Sequence, residues 1–258
     1  MSTSNYDKSA ARRLMAENPG MNYTAALRAV REKRDDLPWD VSRFLDASLA
    51  GVSHLELVGR SGSGKSVLLR HLVVHRLSMG HDVFVIDIVK GGIDYPEDFL
   101  SAPAATSRAE SLDLLEGMRE SRSGQPPALV VIEEPSALIK SEVEDRISVL
   151  INMILRTGRS KGVSVALSSQ RAADRRRKGI RTEGLVGKVM VGIPPTDDNL
   201  QWISQDHASA IAPWFQKGVG LYDDGSGAEK FTFPHLLGQD VEAVLRAAGV
   251  PTREERDR

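Results

Sequence analysis

From about Val41 onward, short apolar runs alternate with amphipathic stretches, the pattern of a largely parallel sheet covered by helices. His54-Leu55-Glu56-Leu57-Val58 reads as a short strand, followed by a glycine-rich turn and a helix that begins at Lys65. Residues 82–87 form a second apolar run of the kind found in buried strands. A helix is expected over 109–121, broken by Ser123-Gly124-Gln125-Pro126-Pro127. Ala128-Leu129-Val130-Val131-Ile132 is the most apolar strand, and it ends in Glu133-Glu134-Pro135. The next helix places Ile147, Leu150, Ile151, Ile154 and Leu155 on one face and stops at Gly158. Residues 163–167 read as a strand closed by Ser168-Ser169-Gln170-Arg171, and residues 188–192 as another. A hairpin pairs 219–222 with 230–233, and 240–248 is a short helix ended by Gly249 and Pro251. The expectation is an α/β fold: a mostly parallel sheet with helices on both faces.

The two ends stand apart from this alternation. Residues 1–36 predict a helical hairpin, with Asn18-Pro19-Gly20 as the turn and Asn22 as N-cap of the second helix. Tyr23, Ala26, Leu27 and Val30 share one face of that helix. A hairpin this small buries no core of its own, so it packs on the main domain or docks a protein partner. Residues 37–48 read as a linker, since Pro38 blocks helix continuation, and 49–250 as the main domain. Residues 251–258, rich in charge, are expected to be a disordered tail.

Candidate chemistry concentrates at Gly59-Arg60-Ser61-Gly62-Ser63-Gly64-Lys65-Ser66, a P-loop in its required setting of strand before and helix after. Gly59, Gly62 and Gly64 let the backbone curl so that successive N–H groups, those of Ser61 and Ser63 among them, face a phosphate chain. The helix dipole adds positive potential at the same place. Lys65 is the candidate partner of the β- and γ-phosphates, and the Ser66 hydroxyl a candidate Mg²⁺ ligand. The cofactors implied are ATP and Mg²⁺. Glu133 and Glu134 leave a hydrophobic strand at the carboxyl edge of the sheet, where open α/β sheets bind ligands. Glu133 is the candidate for the Mg²⁺ shell, and Glu134 for orienting or deprotonating a water. Gln170 ends the next strand at the same edge and is a candidate sensor of the γ-phosphate.

Composition narrows the setting. A net charge of −1 is no signature of a nucleic-acid binder, so any basic surface must be local. Zero cysteines exclude a disulfide framework and Cys-ligated zinc. No apolar run approaches the length that spans a bilayer, and Met1-Ser2-Thr3-Ser4-Asn5 has no apolar core of a signal peptide. The expectation is a cytoplasmic protein, with recruitment to a membrane by a partner left open. The one dense basic cluster is Arg171, Arg175, Arg176, Arg177, Lys178 and Arg181, directly after Gln170. It has no interleaved aromatics for base stacking, so backbone contact to duplex DNA fits it better than single-strand recognition.

These motifs together resemble the FtsK/SpoIIIE-type motor domain, in the FtsK–HerA group of RecA-like P-loop ATPases, over roughly residues 50–235. The resemblance is carried by the P-loop with Val67-Leu68-Leu69-Arg70, by the strand ending at Asp87 with Lys90-Gly91-Gly92 beyond it, and by residues 130–134. It is carried most of all by Arg156-Thr157-Gly158-Arg159 through Gln170-Arg171, similar to the family's Gly-Arg, Gly, strand, Gln-Arg pattern. It implies a RecA-like fold and an ATP-driven, ring-forming translocase, usually hexameric, that moves double-stranded DNA, as in transfer by plasmids, integrative elements or phages. It also implies that Arg159, ahead of Arg156, reaches a neighbouring subunit's γ-phosphate; favourable placement at a helix C-terminus is the other reading. Protein secretion ATPases of the same family are the alternative. The chain departs from the family at Glu133, where Asp is usual, and at Ala172, where Pro is usual. It also reads Asp87-Ile88-Val89-Lys90 for Asp-Pro-Lys, and this extra residue argues against a role for Lys90.

Overall fold

The computed structural model describes residues 15, 22–25, 40–50, 54–120, 122, 124–139, 145–171, 179–182, 186–192, 218–225 and 228–258. The chain divides into two units, Met1–Trp39 and Asp40–Arg258. In the first, the Asn22 side chain accepts a hydrogen bond from the Ala25 N–H at 2.8 Å, the N-cap expected of it. The rest of the expected hairpin lies outside the described residues.

The second unit is built on a seven-stranded sheet in the order β2-β3-β4-β1-β5-β6-β7. The strands are β1 (His54–Val58), β2 (Asp82–Ile86), β3 (Ala128–Glu133), β4 (Val163–Ser169), β5 (Gly187–Val191), β6 (Val219–Asp223) and β7 (Ala228–Thr232). The first five run parallel, and the β6–β7 hairpin adds on antiparallel beside β5. β1 and β3 are buried along their whole length, β3 as a near-continuous apolar run typical of a sheet covered on both faces and β1 with His54 and Glu56 buried among its apolar residues. Alternate residues of β3 point to opposite faces. Val130 and Ile132 join a core with α3 (Arg108–Gly117) and α5 (Arg146–Thr157). α2 (Lys65–Ser78), which follows β1, packs against β2 and β3. α5 is strongly amphipathic: Ile147, Leu150, Ile151, Ile154 and Leu155 are all buried, each stabilising the fold by about 1.5–3 kcal/mol. Asp145 starts this helix, its carboxylate accepting from the Ile147 N–H at 2.9 Å. The short α4 (Pro135–Leu138) lies between β3 and α5.

Two expectations about the ends need correction. Residues 41–48 are not linker but most of a helix, α1 (Val41–Ala50), capped by Asp40, which accepts from the Arg43 N–H at 2.9 Å. Phe44 is 1% exposed and stacks on Phe231 at 4.3 Å, with Tyr222 edge-on at 5.4 Å, so α1 seals the β6–β7 hairpin. Residues 251–258 are ordered too. Thr252 and Glu255 form a capping box that opens α7 (Arg253–Arg256), and Arg256 donates to the Phe99 and Leu100 carbonyls at 3.0 and 3.2 Å. The preceding helix, α6 (Gly238–Ala247), packs on α2.

Candidate nucleotide site

The register of the parallel strands determines what meets at the carboxyl edge. Val58 pairs with Ser169, and Glu133 with Ser168, so the P-loop, the two acids and Gln170 leave the sheet side by side. β4 lies between, and its ends tie both neighbours down. Gly59 N–H donates to the Ser169 carbonyl at 3.1 Å, and Glu134 N–H to the Ser168 carbonyl at 2.8 Å. Beyond this edge opens a cleft of about 710 Å³, lined by the P-loop, Glu133, Glu134, Gln170 and the segment after β7.

The P-loop turns through Gly62 at φ 75° and Gly64 at φ 107°, left-handed conformations that favour glycine. Gly59 has a different reason to be glycine, because a Cβ there would sit 2.6 Å from the Val191 carbonyl. Lys65 is curled back, its ammonium donating to the Gly59 carbonyl at 2.6 Å and the Arg60 carbonyl at 3.2 Å. Burial lowers its pKa, while the charges of Glu134 and Glu133 oppose that shift. The buried Ser63 hydroxyl has no hydrogen-bond partner among the described residues. An inward-curling loop with a buried ammonium and an orphan hydroxyl fits a phosphate chain.

The two acids occupy different surroundings. Glu133 is 4% exposed, and both its oxygens are used: Oε1 accepts from the Tyr95 hydroxyl at 2.5 Å and Oε2 from the Ser66 hydroxyl at 3.2 Å. Glu134 is half-buried at the turn between β3 and α4, with φ 47° and ψ 61°. It is the one non-glycine residue at positive φ among the described residues, a strained placement of the kind that clusters at functional sites. Burial raises its carboxyl pKa, opposed chiefly by the Lys65 charge and by hydrogen bonds from Gln170.

Lys90, which the extra residue after Asp87 argued against, lies inside the site. The Asp87 carboxylate accepts from the Val89 and Lys90 N–H groups at 3.2 and 3.0 Å and from the Gly92 N–H at 3.2 Å. That turn absorbs the added residue and aims Lys90 back at the P-loop. Its ammonium donates to Ser66 Oγ at 2.8 Å and to Asp94 at 2.7 Å, and lies 3.8 Å from Glu133 Oε2. Burial works against its charge, but the Asp94 hydrogen bond and the charges of Glu133, Asp94 and Asp87 outweigh it and raise the pKa. Sequence reasoning also missed Tyr95 and Asp94, which carry no motif and meet the site only when the loop folds back.

Arg159 and Arg156 are not part of this cluster. Both are exposed where α5 ends, before β4 begins, and so lie at the amino edge of the sheet. Arg171 is exposed just beyond Gln170, whereas Arg175, Arg176, Arg177 and Lys178 lie outside the described residues. No helix among the described residues is long and apolar enough to cross a membrane.

Mg²⁺ fits the same place. A hydroxyl and a carboxylate converge there, and a positively charged nitrogen already rests against them. Among the described residues there is no cluster of three or more His, Cys, Asp or Glu side chains, so phosphate oxygens and water would complete the shell, as Mg²⁺ prefers.

No protein-family model and no curated protein matches the chain. Solved structures do match. The conjugation coupling protein TcpA of pCW3, in a monomer form with ATPγS, superposes with TM-score 0.59 at 19% identity over 76% of this chain and 65% of its own. The cytoplasmic domain of the type VII secretion ATPase EccC of Thermomonospora curvata gives 0.55 at 20% identity over 76% and 28%. B204, the DNA-packaging ATPase of Sulfolobus turreted icosahedral virus, gives 0.53 at 18% identity over 71% and 98%. The chain therefore spans less than two thirds of the first two proteins and nearly all of the third. With its P-loop, its five parallel strands and these neighbours, the chain has the RecA-like P-loop ATPase fold.

Proposed function

We propose that this chain hydrolyses ATP with Mg²⁺ and, assembled as a ring, uses that reaction to move double-stranded DNA. The observation that carries the ATPase reading is the convergence of Lys65, Ser66, Glu133, Glu134 and Gln170 on one cleft at the carboxyl edge. Lys65 would exchange its two loop carbonyls for the β- and γ-phosphate oxygens, and the Ser63 hydroxyl would gain a partner. A bound Mg²⁺ would supply positive charge that offsets the negative charge building on the phosphates as the bond from the γ-phosphorus to the bridging oxygen breaks. Ser66 and Glu133 would hold the metal, Glu133 kept in place by Tyr95. Glu134 takes the proton of the attacking water as its oxygen bonds to the γ-phosphorus, and the bridging oxygen leaves with ADP. The raised proton affinity of its carboxyl suits a base. Gln170, hydrogen-bonded to Glu134, orients it.

The choice of DNA over polypeptide rests on the basic run from Arg171 through Arg175, Arg176, Arg177 and Lys178, which leaves the catalytic edge next to Gln170. A coupling protein and a packaging ATPase among the structural neighbours accord with it; the secretion ATPase EccC keeps the polypeptide reading as the rival. Residues 1–36 are the segment proposed to dock a protein partner. The deciding measurement is ATP turnover alone, with duplex DNA and with single-stranded DNA. Duplex stimulation that falls when Arg175, Arg176 and Arg177 are replaced by Ala, equally on unrelated sequences, supports the DNA motor. Near-normal turnover in a folded Lys65→Ala protein would overturn the ATPase reading itself.

A further inference from the structure

The Ser66 hydroxyl stands between two charged groups. It donates to Glu133 Oε2 at 3.2 Å and accepts from the Lys90 ammonium at 2.8 Å. The same ammonium lies 3.8 Å from Glu133 Oε2. A divalent cation held by this hydroxyl, with the carboxylate in its shell, would compete with the ammonium for the space beside Ser66 Oγ and Glu133 Oε2. Lys90 also has a second partner outside the metal's place, the Asp94 carboxylate at 2.7 Å. Asp94 is itself fixed: its other oxygen pairs with Arg70 at 3.1 Å, and Arg70 Nε donates to the Leu236 carbonyl at 2.9 Å.

We propose that Lys90 is a resident cation that keeps the metal's place: its ammonium fills the position Mg²⁺ takes with nucleotide, and Asp94 is the seat to which it withdraws. The inference rests on the Mg²⁺–ATP reading of the site and adds an exchange step to it. The physical need is clear at Glu133. A carboxylate this buried requires a positive or hydrogen-bonding partner on each oxygen. Tyr95 serves Oε1, while on the Oε2 side Lys90 supplies the charge. Two cations cannot share the space, since their repulsion at contact distance in a half-buried cleft is large. Withdrawal is nonetheless cheap, because Lys90 keeps its Asp94 bond while the incoming cation takes over what it gives up at Ser66 and Glu133. The Arg70–Leu236 anchor keeps the seat still while the lysine moves.

The test is equilibrium binding of a fluorescent, non-hydrolysable ATP analogue across free Mg²⁺ for wild type, Lys90→Met and Lys90→Gln, with thermal unfolding of each protein free of nucleotide and metal. Without the ammonium to displace, half-maximal Mg²⁺ should fall roughly tenfold or more, the size of one lost charge-assisted hydrogen bond. Analogue affinity in chelator should fall as well, because the resident cation beside the phosphates is gone. The Tm of the unliganded variants should drop and recover with Mg²⁺ and analogue. Asp94→Asn should act in the opposite direction, raising the Mg²⁺ requirement because Lys90 loses its seat. An unchanged Mg²⁺ dependence in both Lys90 variants overturns the inference. So does weak binding at every Mg²⁺ concentration, which would make Lys90 a phosphate ligand. Failure of wild type to bind the analogue at all would instead overturn the ATP reading.

Discussion

Glu133 and Glu134 are adjacent in sequence and built for different work. Glu133 is locked by Tyr95, Ser66 and the nearby Lys90; Glu134 is held at φ 47° with its carboxyl facing the cleft. Glu134→Gln keeps size and hydrogen bonding but accepts no proton, so it should bind ATP and hydrolyse it on the order of a hundredfold more slowly or worse. Glu133→Gln should instead raise the Mg²⁺ needed for nucleotide binding. If Glu134→Gln turns over normally while Glu133→Gln does not, the two roles are reversed. A different residue contributes to the pH response of the fold. His54, 3% exposed at the start of β1, has its pKa pushed down to about 4 by burial, against 6.5 for an ordinary histidine. Between those values the unfolded chain takes up a proton that the folded one refuses. Its share of stability is therefore complete above pH 6.5 and is lost as pH falls toward 4, about 3 kcal/mol in all. His71, His75 and His81 shift in the same direction. Urea unfolding at pH 7 and pH 4.5 should show this loss in wild type and a smaller one in His54→Asn; equal losses would remove His54 from the account.

Where α5 meets β4, one element boundary separates two meanings of a single motif. A Cβ on Gly158 would lie 2.6 Å from both the Ile154 and Val163 carbonyls, backbone atoms that cannot swing aside. Gly158→Ala should therefore cost on the order of 1–3 kcal/mol in urea unfolding, whereas exposed Arg159→Ala should stay within about 0.5 kcal/mol. Comparable losses would mean that Arg159 is structural. The glycine of the Gly-Arg pair is thus explained by packing, and only the arginine is left for function. Elements of this kind were legible when their signal was local. The strand at 128–133 announces itself as an apolar run, the P-loop by its spacing, and the strand at 54–58 by its place directly before that loop. α1 was not legible because Pro38 suggested a break, although Phe44, Leu45 and Ser48 follow helical spacing and all are buried. In the tail, Thr252 and Glu255 spelled a capping box that the surrounding charges obscured. The turn at 87–92 was misjudged by counting residues, since Asp87 binds three backbone N–H groups and takes up the extra one. Tyr95 reaches Glu133 across 38 positions, a contact that no local pattern carries.

At the scale of the whole molecule, the decisive fact is that the two edges of the sheet carry different parts of the proposed chemistry. Lys65, Ser66, Glu133 and Glu134 lie at the carboxyl edge, and Arg159 lies at the amino edge, before β4 begins. The seven residues of β4 separate them by about 20 Å, at roughly 3.3 Å of rise per residue. No rotamer of Arg159 spans that gap, so within one copy it cannot touch the phosphate that Lys65 binds. If Arg159 takes part in hydrolysis, it does so in the site of a neighbouring copy, which makes ring assembly a condition of activity and not an accessory to it. Arg159→Ala should then lower turnover by a large factor, on the order of a thousand for arginines acting in trans. Lys65→Ala should abolish turnover in its own site while still presenting a sound Arg159 to the next. Mixed in equal amounts, the two inactive proteins should regain turnover wherever an intact Lys65 site of one faces an intact Arg159 of the other. The measurement is ATPase rate against mixing ratio, with co-assembly checked by size. A bell-shaped curve with its maximum near the middle supports action across a boundary. Mixtures that co-assemble and stay inactive at every ratio would leave Arg159 as an exposed cation at a helix end, worth a few tenths of a kcal/mol to about 1 kcal/mol through the dipole alone.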